Sequence, residues 1–285
     1  MYIRKLIRHP LTQLLIAFAV IPLLLSACQP VNASTSLPSP QPSATTDPAP
    51  LSTATQAPPA LATLPVSGAS AAIALDFSGV AQNQAVETVE AVTPSDADSR
   101  GSLNMPAYRR VTLQGYPAAQ RQLKPQIFAF PVKDLDVNVD AAEAAKSLQA
   151  LLQDQQVGQS LPFLPLYNSK QVMHAQVQYL DFKNGKGVRF LTQYDQGPLK
   201  INNVEMIYTF QGLTSDGKTY LAAVLPVSHP ELPADAQVYT QQAGDMTEFP
   251  AYLAKTVAWL DQQPAGNFTP DLAKLDALIQ SIEVK

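Results

Sequence analysis

From Tyr108 onward, apolar and polar residues fall into patterns that specify elements. Tyr108–Gln114 and Gln126–Val132 are short, β-prone runs bounded by Gly and Pro, and both predict strands. Asp140 then opens a helix, with Glu143 three residues on as an acidic variant of the capping box. Ala141, Ala144, Ala145, Leu148, Leu151 and Leu152 form its i, i+3, i+4, i+7 stripe, and Gly158 marks its latest end.

Two hairpins follow. Asn184-Gly185 is the pair expected of a type I′ turn. Counting outward sets Tyr179 opposite Phe190, Val177 opposite Thr192 and Ala175 opposite Tyr194, with Met173 on the same face. The other face then carries His174, Gln176, Gln178, Arg189 and Gln193. Asp216-Gly217 turns the second hairpin, pairing Phe210 with Ala223, Tyr208 with Leu225 and Met206 with Val227. Pro226 donates nothing to a ladder, so that end is expected at an edge or leaving the sheet. Gly185, Gly187, Gly212 and Gly217 are read as turn residues.

Thr247 is the expected cap of a helix presenting Phe249, Leu253, Val257 and Leu260, stopped by Pro264 and Gly266. Thr269 is the expected cap of a last helix, with Pro270 in the first position and Leu272, Leu275, Leu278, Ile279 and Ile282 as its stripe. Before Tyr108 the pattern thins. A short strand at Ala72–Gly79 is followed by an acidic connection from Gln82 to Ser99, so residues 70–105 read as a weakly ordered start. The whole predicts an α+β fold over residues 70–285: one antiparallel sheet of hairpins with about three helices packed on it.

Residues 29–67 carry nine prolines, many Ser, Thr and Ala, and one charge, Asp47. Such a segment buries too little apolar surface to offset its ordering entropy, so residues 28–69 are expected to form a disordered, extended stalk. The first 27 residues read as a signal peptide. Arg4, Lys5 and Arg8 precede an apolar run from Leu11 to Leu25, which is shorter than the roughly 20 residues needed to cross a bilayer. The run ends in Leu25-Ser26-Ala27-Cys28, which resembles the lipobox of bacterial lipoproteins. That resemblance implies diacylglycerol on the Cys28 sulfur, cleavage before it and an acyl anchor such as palmitate. The membrane is then a partner through lipid alone, with the domain on the extracytoplasmic face. Cys28 is the sole cysteine, so no intrachain disulfide forms. Without residues 1–27 the chain holds sixteen basic against twenty-three acidic residues, a balance of −7 that argues against binding nucleic acid or an anionic lipid surface by charge.

Three stretches, LPFLPLYNSKQVMHAQVQYLDF from Leu161, GVRFLTQY from Gly187 and YTFQGLTSDGKTYLAAVLPVSHPELP from Tyr208, resemble a group of uncharacterised bacterial lipoproteins over about Tyr108 to Pro233. That group implies no activity. The element order also looks like the sheet-and-helix sandwich of PsbP and Mog1-like domains, a resemblance of architecture only.

Candidate chemistry is sparse. Asp134, Asp136, Asn138 and Asp140 imitate the opening of a Ca²⁺-binding EF-hand loop, but Val139 stands where the loop needs Gly and Ala145 where it needs Glu. A strand exit and a helix cap explain the same residues. His174 falls on the polar face of its strand, where solvation is the ordinary outcome. His229 follows Ser228, yet a Ser/His nucleophile needs facing side chains with an acid behind the histidine. Tyr220, on the face opposite Leu221 and Ala223, is a candidate groove residue. No motif calls for a cofactor. The leading expectation is a non-enzymatic, lipid-anchored domain that binds a ligand or partner. The alternatives are an envelope hydrolase using His229 and nearby acids, and a structural accessory of an envelope complex.

Overall fold

Strict alternation breaks down along the longest strands because both faces of the sheet are covered. The computed structural model describes residues 72–92, 104–117, 123–237 and 246–285. The signal peptide, Cys28, the stalk and the end of the Gln82–Ser99 segment lie outside the described residues. The strands are β1 (Ile73–Ala74), β2 (Asn83–Val89), β3 (Tyr108–Gln114), β4 (Gln126–Pro131), β5 (Lys170–Phe182), β6 (Gly185–Asp195), β7 (Ile207–Thr214), β8 (Thr219–Pro226) and β9 (Glu283–Val284). The helices are α1 (Val139–Asp154), α2 (Phe249–Asp261) and α3 (Leu272–Ser281). Seven strands make one antiparallel sheet in the order β2-β3-β4-β8-β7-β6-β5, and β1 pairs with β9 in a separate ribbon. The predicted α+β fold is observed, with α1 on one face of the sheet and α2 and α3 on the other.

β8 lies between β4 and β7 with every residue buried. Alternate side chains therefore feed two cores: Leu221, Ala223 and Leu225 face α3, while Tyr220, Ala222 and Val224 face α1. Among the described residues, both cores are drawn from between Ile73 and Val284, so a chain that begins at residue 29 retains every one of those side chains. Pro226 is the last residue of β8, beyond the final β4 pair at Gln126–Val224, as its missing N–H requires. The second hairpin pairs Phe210 with Ala223 and Tyr208 with Leu225, as expected.

The first hairpin departs from expectation. Its turn residues are Lys183 and Asn184, and Phe182 pairs with Gly185, so Tyr179 lies opposite Val188 rather than Phe190. Asn184 is occupied elsewhere: its side-chain amide exchanges two hydrogen bonds with the Val284 backbone, at 2.6 and 3.0 Å. A β-bulge follows between Ala175 and Gln178, with Gln176 at φ 55°. The extra residue reverses the alternation, so Met173 and Ala175 join the α3 core while Val177 and Tyr179 turn to the α1 side. The bulge also aims the Gln176 amide at the end of α2, where it donates to the Leu260 and Gln263 carbonyls at 2.8 Å each. The Leu260 carbonyl also accepts from the Gln263 N–H at 3.1 Å, so the strand reinforces a backbone turn that already closes the C-terminal end of α2.

Other expectations need correction. Asn138, not Asp140, caps α1: its Oδ1 accepts from the Ala141 N–H at 3.1 Å, while its Nδ2 donates to the Asn104 carbonyl at 3.0 Å. The five buried residues of α1, Ala141, Ala145, Leu148, Leu151 and Leu152, follow the expected stripe. Glu248 rather than Thr247 precedes α2, which buries only Leu260. Asp271 rather than Thr269 caps α3, accepting from the Ala273 N–H at 2.8 Å. The segment read as a connection contains β2, whose seven residues pair in full with β3. Gly187 and Gly212 are not turn residues. They face each other within the sheet, where a Cβ on either would strike the Phe210 ring.

Candidate functional site

An open trough of about 840 Å³ lies between α1 and the tips of the β5–β6 and β7–β8 hairpins. The Asn138 cap fixes the start of α1, and the Asn184–Val284 pairing fixes the first tip. In the second tip, the Thr214 hydroxyl donates to Asp216 at 2.7 Å and accepts from the Thr219 N–H at 3.0 Å. Ala145, Leu152, Phe182 and Leu213 form the apolar wall; Lys146, Lys183 and Lys186 stand at the rim, with Asp136 and Asp181 also on the lining. The Lys186 ammonium donates to the Leu152 carbonyl at 3.3 Å, at the negative end of α1. A second recess of about 670 Å³ shares Val132, Thr214 and Gly217 with the trough and adds Lys133, Lys218 and Lys285. Lys218 pairs with Asp216 and Lys285 with Glu283, each at 3.4 Å. Hydrogen bonds from the Thr214 hydroxyl and the Lys218 backbone lower the pKa of exposed Asp216.

The histidines are elsewhere. His229, expected past a sheet edge, is 1% exposed, with its ring 4.8 Å from that of Trp259 and 5.0 Å from that of Phe268. Its Nδ1 accepts from the Glu231 N–H at 3.2 Å, which leaves the ring proton of the neutral form on Nε2. Nε2 is buried without a hydrogen-bond partner. Ser228 instead directs its hydroxyl to the Thr269 carbonyl at 3.4 Å. The two side chains do not hydrogen-bond each other, so the hydrolase expectation has no nucleophile–base pair here.

His174 is not on a solvated face. It is half-buried against α2 in a recess shared with Gln176, Arg189 and Asp261. Burial lowers its pKa from 6.5, with the nearby Asp261 carboxylate opposing the shift. Asp134 and Asp136 lie in a 3-10 turn over Val132–Val137, and Asp140 lies in the first turn of α1. The Asn138 amide is spent on the cap and on Asn104. No group of three or more His, Cys, Asp or Glu side chains among the described residues could hold a metal ion. Tyr220 lines no groove. It is fully buried under α1 and donates to Gln211 Oε1 at 2.7 Å.

One polar cluster was not visible as such in the sequence. Arg189, assigned by alternation to an outer polar face, is buried beneath α3. Its Nε stands 3.2 Å from Asp276 Oδ1, a contact with the distance of an ion pair but not the angle of a hydrogen bond. Nη2 donates to Gln178 Oε1 at 2.6 Å, and Tyr208 donates to Asp276 Oδ1 at 2.8 Å. Burial raises the Asp276 pKa against the pull of Arg189, and burial together with the neighbouring Asp276 carboxylate raises that of Tyr208. The aspartate spacing from the last helix's apolar stripe was the available signal, since Asp276 interrupts Leu275 and Leu278.

Comparison with protein-family models, with curated proteins and with solved structures finds no match. Among the described residues, no helix is long and apolar enough to cross a membrane.

Proposed function

We propose that this chain is a lipid-anchored, extracytoplasmic binding protein, carried on Cys28 by a stalk and gripping its ligand in the trough beside α1. The observation that carries the binding reading is the trough itself. At about 840 Å³ it has the size of a small-molecule site, and three separately fixed elements wall it with apolar and charged side chains. Support for the anchor comes from the sequence, through the basic and apolar segments leading to Leu25-Ser26-Ala27-Cys28. Two or three acyl chains, at about 0.8 kcal/mol per buried CH₂, hold such a protein at a bilayer without any amphipathic surface helix.

Mass spectrometry of the natively expressed protein tests both parts. The expected N-terminal peptide begins at an acylated Cys28, and a Cys28→Ala variant lacks that modification. A free thiol, or a start elsewhere, removes the anchor. Small molecules co-purifying with the wild type are expected to be depleted in Ala142→Trp, which places an indole in the trough. Equal recovery from both removes the binding reading.

A further inference from the structure

We infer that the trough takes an anionic amphiphile, its charged group held between Lys146 and Lys183 and its apolar part lying on Ala145, Leu152, Phe182 and Leu213. The inference rests on the binding reading and names the chemistry of the ligand.

Charge distribution is the first support. The chain has twelve lysines and an excess of acids, yet six of the lysines border the trough and the recess joined to it. Lys133, Lys146, Lys183 and Lys186 have no carboxylate within 4.0 Å among the described residues, although Asp136 and Asp181 line the same trough and Asp216 the recess. The trough and its adjoining recess together set these six lysines against Asp136, Asp181 and Asp216, and a concave site with an excess of one sign concentrates counter-ions of the other. The negative pole of α1 also faces the trough, and Lys186 sits on it, so the helix end does not repel an anion.

The wall supplies the second support. Lys146 and Lys183 come from different elements, one from α1 and one from the hairpin tip, and the same lining carries the apolar side chains of Ala145, Leu152, Phe182 and Leu213. A small hydrated anion would leave that surface unused. An acyl or aromatic body bearing a carboxylate or phosphate uses both. A free amphiphile and a bilayer lipid share this chemistry.

The test uses residues 29–285 and three twelve-carbon probes below their aggregation limits: laurate, dodecanol and dodecyltrimethylammonium. In calorimetric titration, laurate is expected to bind at least about tenfold more tightly than the cationic probe. Lys146→Gln/Lys183→Gln is expected to weaken laurate roughly three- to tenfold while leaving the urea midpoint unchanged, since each contact is a solvated ion pair. Equal binding of all three probes, insensitive to the lysines but abolished by Ala142→Trp, overturns the anion and leaves the trough as a binding site. Binding insensitive to Ala142→Trp as well, or no binding of any probe, overturns the inference altogether. Vesicles separate the two sources: lysine-dependent retention on phosphatidylglycerol but not phosphatidylcholine assigns a bilayer lipid, and laurate binding without retention assigns a free one.

Discussion

The two faces of the central sheet bury polar groups in different ways. Beneath α3, Arg189 and Asp276 form an ion pair reinforced by Tyr208 and Gln178. Beneath α1 the hub is neutral. Gln211 Oε1 accepts from the Leu164 N–H at 2.9 Å and from Tyr220 at 2.7 Å, while its Nε2 donates to the Leu164 carbonyl at 3.1 Å and the Thr209 hydroxyl at 2.8 Å. An amide both donates and accepts, so it satisfies a loop backbone without bringing charge into the core. An ion pair satisfies its members only together, because either one left alone is a desolvated charge. The α3 face is therefore the brittle one and the α1 face the forgiving one.

Urea denaturation of single variants can break that contrast. Arg189→Met strands Asp276 and is expected to cost about 3–5 kcal/mol. Asn138→Ala, at the head of the neutral face, removes the α1 cap and the tie to Asn104, for roughly 1–2 kcal/mol. Tyr220→Phe removes one of two donors to Gln211 Oε1 and is expected to cost only about 0.5–1.5 kcal/mol. If Tyr220→Phe proves as damaging as Arg189→Met, the contrast fails. The smallest effect is one of pH. Asp276 has a folded pKa raised above its ordinary 3.8, so its contribution is complete below that value and is lost as pH rises through the folded pKa. Across that window the melting temperature of the wild type should fall relative to Asp276→Asn. Parallel curves would mean that the carboxylate is not strained by burial.

These faces also explain what the sequence could and could not disclose. The α1 stripe, the α3 stripe and the Asp216-Gly217 hairpin were legible because each follows a fixed period over many residues. The first hairpin was not, since Asn184 was drawn away by Val284, one hundred residues distant. Gln176 was unreadable for a related reason: its bulge answers a helix end that alternation along β5 does not contain. β2 escaped notice because an edge strand with four exposed residues, NQAVETV, needs little apolar pattern. As for the trough, its lysines are dispersed from Lys133 to Lys285, and only folding gathers them. His229 and Ser228 present the converse, neighbours in sequence that folding turns to separate partners.

The β1–β9 ribbon carries a topological consequence. Ala72 and Lys285 exchange both backbone hydrogen bonds at 2.8 Å, so two points more than two hundred residues apart lie side by side. A few-residue linker can therefore fuse them and let a new opening be cut in an exposed loop, such as that around Gly197, where a Cβ would meet nothing within 4 Å. In such a circular permutant the path of the chain through both cores is kept, while the point of attachment to any tether moves around the molecule.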